Sequence, residues 1–584
     1  MPANLYIRST VVLSLLWGIV FALVSTVFYF TQDNFSAGTS LTLAVLIAFV
    51  IVFIQFLISP FLMDLILGWV YDLSWIDYRD LPDDMAQALN SSMNRHHFSL
   101  KKVGIIHDQM PNAFTYGHFK GNARIVLTEG ILDMLDSDER VAVLEHEVGH
   151  IVHRDFIFMT IAQVVPLAFY LIYITSRSFA TTVGRTTGGK EEGGVAAASG
   201  LVMVVSYLFY LISGFMVLFL SRARESYADY FSAVETNHPN AMSTALVKVG
   251  YGLVLADTRN RNRAKDENLS RSERRRASRQ NGMMYGLRSM GLADVRTAKG
   301  LVMQAYGEGQ TEIHPDAIAA AAAWDLNSPW AKFIELNSTH PLIGKRLRHL
   351  DELAPTLGSE PKYPKLGQIK PPESLWDEFF VDLIVYYLFP ILIILIPVIG
   401  GFYAQSEGFG FTAGVGAGLL VMTVLWYFRI HIRYPEIESY EDPQRPKNTV
   451  FEALSSMEKD MYYEASPVRG KPIKLVGHVI GRGTPGYYFG EDFVVQDESG
   501  FVIIDFSSLL GWLGNLIFGA RKIERMIGQE VTVIGWYRRS TRPIVQLHRA
   551  YTQDGQVIKN HWLKANIFFM RFLAILGIIF LVIL

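Results

Sequence analysis

The chain has 584 residues, half of them apolar and 18% charged, with a formal net charge of -2 and no cysteine. Soluble domains carry about a quarter charged residues, so this composition, with its positive mean hydropathy, points to a membrane protein. The lack of cysteine excludes disulfides, thiolate-ligated zinc and a cysteine nucleophile, and the near-neutral charge excludes a global pull on nucleic acid.

In chain order, seven segments approach the roughly 20 apolar residues that a membrane span requires: about 10–30, 41–63, 156–176, 196–220, 381–402, 409–429 and 566–584. The first has too long an apolar core, and too close a following span, for a cleaved leader. Pro60, Pro390 and Pro397 lie within spans, where neighbouring helices can satisfy the freed carbonyls. The loops 31–40 and 403–408 carry no Lys or Arg, whereas 71–155, 221–380 and 430–565 are rich in both. The positive-inside rule then places the three large segments in the cytoplasm, with Arg177, Arg185 and Lys190 a modest violation. The expected fold is mainly α: a polytopic helical membrane protein with an α+β domain and a small C-terminal all-β barrel of OB type. Its divisions are an N-terminal hairpin (1–70), the α+β domain (71–355) that includes a hairpin at 156–220, a linker and second hairpin (356–430), the barrel (470–552) and a final span (566–584).

The densest chemistry is at Glu145-His146-Glu147-Val148-Gly149-His150. Residues four apart on a helix project about 40° from each other, so His146 and His150 can both reach one ion. Glu147, one position from His146, can reach a water on that ion without ligating it, which is the division of labour in His-Glu-x-x-His zinc hydrolases. The motif fixes only three positions and also occurs by chance on solvated helices. A catalytic zinc needs a third protein ligand, and Glu225, just after the fourth span, is the candidate. Two intervening spans return the chain to the same membrane face. Asp229, one helical turn later, can accept the free N–H of a ligating histidine. The competing reading of Glu225 is an ion pair with Arg222 or Arg224.

These motifs, with three more, resemble the HtpX branch of the membrane metallopeptidases, a group that includes the CAAX prenyl endopeptidase and the mitochondrial stress protease OMA. The matching features are Asn112-Ala113-Phe114, the histidine motif followed by Arg154-Asp155, Glu225-Ser226-Tyr227-Ala228-Asp229, and Ser338-Thr339-His340-Pro341 with Lys345-Arg346-Leu347 after it. The resemblance covers about residues 1–355 and implies that the α+β domain at 71–355 is a zincin-type zinc peptidase domain. It implies an endopeptidase with one zinc per chain, acting on membrane or misfolded polypeptides at the cytoplasmic face of the plasma membrane. It also implies that the strand at Asn112, Ala113 and Phe114 is a sheet edge to which a peptide adds as another strand. By the same resemblance His340 and Arg346 stabilise the tetrahedral oxyanion. Membrane lipid is a partner and oligomerisation is left open. Two competing readings are processing of a lipidated peptide, as in the CAAX enzymes, and a silent scaffold that recruits partners through the barrel.

Segment 256–283 is charged and poor in large apolar residues, the composition of a disordered loop. Beyond the resemblance, strand-like runs at 472–480, 492–497, 501–506, 530–536 and 543–550 suit the OB-type barrel. An apolar stretch at 508–527, with Leu509, Trp512, Leu513, Leu516, Ile517 and Phe518, looks suited to a membrane surface or to the protease. Tyr487, Tyr488 and Phe489 offer a stacking platform, but ten Lys/Arg against seven Asp/Glu over 470–552 is too mild for a nucleic-acid footprint. The expected role of the barrel is a structural or regulatory accessory.

Overall fold

The structure is a computed structural model. It describes the chain except for residues 1–6, 8, 19, 21–34, 101, 187–189, 266–314, 367, 369–373, 443–446, 448–464, 483–491, 498–499, 509–517, 519–521, 541–543 and 583–584. Among the described residues six helices are long and apolar enough to cross a membrane: Val45–Trp69, Asp155–Ser178, Gly200–Thr236, Trp376–Ser406, Phe411–Glu441 and Trp562–Val582. They coincide with the second to seventh expected spans. The first falls largely outside the described residues, where only the short apolar helix Ser9–Gly18 is seen.

Helix α1 (Phe35–Val70) contains Pro60, which cannot donate to the carbonyl four residues back. His118 meets that need: its Nε2–H donates to the Phe56 carbonyl at 2.7 Å, and lies 3.1 Å from that of Leu57. Asp64 on the same helix accepts from Arg124 and from the Tyr116 hydroxyl, both at 2.7 Å. The first hairpin is thereby tied to a four-stranded sheet of β1 (Leu73–Asp77), β2 (Lys102–Ile106), β3 (Ala113–Tyr116) and β4 (Arg124–Thr128). The order is β1-β2-β4-β3, with only the β2–β4 pair parallel. β3 is therefore an edge strand.

Helix α2 (Asp83–His96) and helix α3 (Ser137–Val152) pack beside this sheet. α3 opens on a capping box: Asp136 accepts from the Glu139 N–H, and Glu139 accepts from the Asp136 N–H, which satisfies two otherwise orphaned donors. Helix α4 (Asp155–Thr186) and helix α5 (Lys190–Thr236) form the next hairpin and return to α3. A Cβ on Gly149 would stand 3.2 Å from the Phe231 ring and 3.3 Å from the Ala228 Cα. Glycine there lets α3 and α5 approach closely enough to share a site. Helix α6 (Pro239–Lys265) runs into the segment read as a disordered loop. Residues 256–265 are helical, a correction: the helix continues from an apolar anchor that a composition window over 256–283 overlooks. Residues 266–283 lie outside the described residues.

Helix α7 (Ile343–Leu353) starts where the Gly344 N–H donates to Asp325 at 3.0 Å. Burial, reinforced by Glu335, pushes the Asp325 carboxyl up to about 7. The native state then holds a proton that the unfolded chain releases near the ordinary value of 3.8. The stability from this group is full below about pH 4, falls as pH rises toward 7 and is constant above. A shift of that size is worth about 4 kcal/mol at most. Asp325→Asn keeps an acceptor for Gly344, so its thermal-unfolding midpoint in detergent should drop less than that of the wild type between pH 4 and 7. Equal drops would show that Asp325 does not titrate in this range.

The second hairpin, Trp376–Ser406 with Phe411–Arg433, packs through glycine: a Cβ on Gly414 would lie 2.0 Å from the Gly400 carbonyl oxygen. Close backbone approach of this kind is how apolar helices associate in lipid. Asp382, fully buried, accepts from Ser466 at 2.7 Å and Arg469 at 2.8 Å, and lies 3.3 Å from Trp330 Nε1. It joins the hairpin to the peptidase block and to the chain entering the barrel.

The C-terminal block has all five expected strands: β5 (Lys471–Arg482), β6 (Phe493–Asp497), β7 (Gly500–Asp505), β8 (Glu530–Arg538) and β9 (Ile544–Thr552). A short β10 (Val557–Lys559) is added on β9. β8 pairs with both β5 and β9, and β9 with β7, so the circuit β5-β6-β7-β9-β8 closes into a barrel. Phe518 is 5% exposed and stacks on Phe506 with centroids 3.7 Å apart. It serves the barrel core rather than a membrane or protease surface, correcting the expectation for that residue. The other apolar residues singled out in that stretch, and Tyr487 to Phe489, lie outside the described residues.

Candidate metal centre

α3 presents His146 and His150 one turn apart, and α5 brings Glu225 opposite them. One ligand atom from each of the three lies within 4.8 Å of the other two. The imidazole rings stand at 84° to each other with their Nε2 atoms 3.3 Å apart. Glu225 Oε2 is 3.6 Å from His146 Nε2, and Oε1 is 3.7 Å from His150 Nε2.

The far side of each ring is fixed by a carboxylate. His146 Nδ1 is 3.0 Å from Asp229 Oδ1, and His150 Nδ1 is 2.6 Å from Asp155 Oδ2. A proton placed on each Nδ1 for these contacts leaves two Nε2 lone pairs facing each other at 3.3 Å. Two acceptors repel at that distance unless a cation lies between them. A tetrahedral ion with bonds of about 2.0–2.1 Å sets neighbouring donors roughly 3.3 Å apart, so the residues fit a metal. Burial disfavours a charged His150, yet the Asp155 hydrogen bond and the charges of Glu225 and Glu147 outweigh it and raise its pKa to about 9. The pocket calls for positive charge.

Each carboxylate is held in turn by a buried arginine. Arg346 forks onto Asp229 through Nε at 2.7 Å and Nη2 at 2.6 Å. Arg224 donates from Nε to Asp155 at 2.6 Å, and from Nη2 to the His153 carbonyl at 2.9 Å. Arg154 adopts the left-handed region at φ 57° and turns the chain sharply between α3 and α4, which swings Asp155 back under His150. Arg222 donates to the Glu335 and Ser338 carbonyls at 2.7 Å. Neither arginine of the competing reading is thus placed on Glu225. The partner of Glu225 is instead His340, whose Nδ1 is 3.0 Å from Oε2.

Glu147 is buried, and the Thr115 hydroxyl donates to its Oε2 at 2.6 Å. Thr115 lies on the edge strand β3, so that strand borders the centre. Asn112 precedes β3 and donates its N–H to Thr128 Oγ1 at 2.8 Å, while Ala113 and Phe114 pair with Leu127 and Val126 of β4. Sequence reasoning gave Asp155 and Thr115 no role at the site and considered Arg224 only as a partner of Glu225. The available signals were the Arg154-Asp155 pair after the motif and the nearness of Thr115 to Asn112–Phe114.

Peptidase family M48 matches residues 81–354. The protease HtpX homologue of Methanothermobacter thermautotrophicus is 31% identical over 246 residues, which cover 42% of this chain and 86% of the relative. That of Thermoplasma acidophilum is 30% identical over 40% of this chain and 72% of its own. That of Aeropyrum pernix is 28% identical over 54% and 88%. The crystal structure of S. mikatae Ste24p aligns over 59% of this chain and 65% of its own at 17% identity, with a TM-score of 0.29. Members of this family are metal-dependent and act on polypeptides. The HtpX-type match together with the six spans identifies this chain as a multi-pass HtpX-like membrane metalloprotease that belongs to peptidase family M48.

Proposed function

We propose that the protein is a zinc endopeptidase that cleaves membrane or misfolded polypeptides at the cytoplasmic face. The observation that carries this reading is the convergence of His146, His150 and Glu225 with Glu147 beside them. An all-His/carboxylate set with short N–N spacing suits zinc. A bound zinc supplies Lewis acidity and lowers the pKa of a bound water toward about 7. Glu147 takes the proton from the attacking water and then passes it to the leaving amine. Thr115 holds one Glu147 oxygen and thereby orients the base. An extended segment of substrate pairs with β3, whose free edge borders the base. His340, whose Nδ1 faces Glu225, can as an imidazolium donate its Nε2–H to the developing oxyanion. Arg346, whose fork is spent on Asp229, acts as a positioning residue rather than as a direct oxyanion donor.

The Lys/Arg-rich segments support a cytoplasmic site in the plasma membrane. The domain divisions follow the spans and the barrel, whose strand circuit supports the OB-type reading and an accessory role. The test is hydrolysis of casein and of an unfolded membrane substrate by the full chain in detergent. Cleavage should stop with a chelator and return with added zinc. Cleavage that persists at full rate in metal-free protein would refute the reading.

A further inference from the structure

The inner end of the second hairpin carries a pair of cations without ion-pair partners among the described residues. Arg429 and Arg433 lie one helical turn apart near the end of the Phe411–Arg433 helix. The Arg429 guanidinium sits 4.8 Å from the Phe389 ring and 4.9 Å from that of Trp426. The Arg433 guanidinium sits 4.7 Å from Tyr386 and 5.7 Å from Tyr434. Neither arginine forms an ion pair among the described residues. Arg538 of the barrel adds a third guanidinium, 5.3 Å from the Tyr434 ring, and donates to the Arg433 carbonyl at 2.8 Å and to Gln546 at 2.7 Å. Its hydrogen-bond partners are neutral and the carboxylate that acts on it is that of Asp505, which leaves Arg429 and Arg433 as the cations without an ion-pair partner among the described residues.

The polar atoms left over are all of one kind. Arg429 Nε, Arg433 Nε and Trp426 Nε1 are buried donors, and the Tyr434 hydroxyl can donate too. None has a hydrogen-bond partner among the described residues. Buried donors are almost always satisfied, and a set composed only of donors beside unneutralised cations calls for an anionic acceptor. The place says which one. Tyr427 and Phe428, next to Arg429, are 48% and 55% exposed on the outer face of the helix, where lipid lies. The barrel packs against the chain just after Arg433, where Trp536 donates to the Pro435 carbonyl at 2.9 Å. The groove between the two helices therefore opens at the boundary between bilayer and water. Basic pockets between spans at that level suit phospholipid headgroups, and the aromatic walls suit the interfacial region.

We infer that Arg429 and Arg433, in the groove between the two helices of the second hairpin, bind the phosphate of an anionic phospholipid. The lipid phosphate neutralises the arginine pair at the junction of hairpin and barrel. The site is separate from the metal centre and does not depend on the peptidase reading.

The test is native mass spectrometry of the delipidated full chain, titrated with phosphatidylglycerol or phosphatidylcholine. Wild-type protein should bind phosphatidylglycerol in preference to phosphatidylcholine. Arg429→Gln with Arg433→Gln should weaken phosphatidylglycerol binding by roughly 10- to 30-fold, at about one interfacial charge interaction per arginine. The doubly conservative Arg429→Lys with Arg433→Lys should keep the preference, and Arg79→Gln, remote and exposed, should leave it unchanged. Inorganic phosphate at millimolar concentration should not displace the lipid. Equal affinity for the two lipids in the wild type would overturn the proposal, even if the glutamine variant failed to fold. So would unchanged phosphatidylglycerol binding in a folded glutamine variant, or displacement by phosphate alone.

Discussion

Replacing Glu147 by Gln should lower turnover by about 100- to 10,000-fold, the usual contribution of a general base, while metal content stays at the wild-type level. Glu147 lies one residue from His146 and outside the three-residue ligand set. Glutamine keeps the shape and can still accept from the Thr115 hydroxyl, which now bonds Glu147 at 2.6 Å. What is lost is the base. Under the proposed pairing of substrate with the edge strand β3, which the substitution does not touch, substrate affinity should survive and the variant should retain uncleaved substrate in detergent pull-downs. A Glu147→Gln protein that cleaves at the wild-type rate, in a reaction that still needs metal, would require another base.

The second large effect should come from the buried Asp229–Arg346 pair. Both side chains are at most 2% exposed, and the fork between them is doubly bonded. Removing one partner of such a pair strands a buried charge and costs about 3–5 kcal/mol. Asp229 also orients His146, and loss of a carboxylate behind a metal-ligating histidine typically costs about 10- to 100-fold in metal affinity. Asp229→Asn removes that carboxylate and strands the Arg346 charge, so it should lower both the apparent metal affinity and the unfolding midpoint, while Arg346→Met, which leaves the carboxylate behind the ring, should lower the unfolding midpoint and the metal affinity less. Chelator titrations and thermal melts measure the two quantities. If a folded Asp229→Asn lost stability but retained metal as the wild type does, Asp229 would be a structural residue only, and its influence on His146 would be refuted.

The parts of the site that were legible from sequence are those fixed by periodicity and topology. The four-residue spacing puts His146 and His150 on one helical face, and an even number of spans brings Glu225 back to them. Spans were legible because lipid allows few ways to satisfy a backbone, and the barrel strands because alternating apolar runs separated by turns leave a clear pattern. Choices of partner were not legible. Arg222 and Arg224 both sit beside Glu225 in sequence, yet the fold sends one to carbonyls of the His340 loop and the other to Asp155. That outcome depends on α4 folding back after the left-handed turn at Arg154. His118 beneath Pro60 and Phe518 inside the barrel are similar cases: each depends on which surface arrives opposite, and no local pattern carries that information. The length of α6 was missed because charge composition was weighed over a window that began inside a helix.

The central claim is that His146, His150 and Glu225 together hold one metal ion, which we take to be zinc. Its most direct test is metal analysis by mass spectrometry of the full chain after dialysis against metal-free buffer, comparing wild type with Glu147→Gln and with the double variant His146→Ala, Glu225→Ala. The prediction is about one zinc per chain in the wild type and in Glu147→Gln, with less than a tenth of that in a folded double variant. Full zinc occupancy in the double variant would contradict the assignment and place the ion elsewhere.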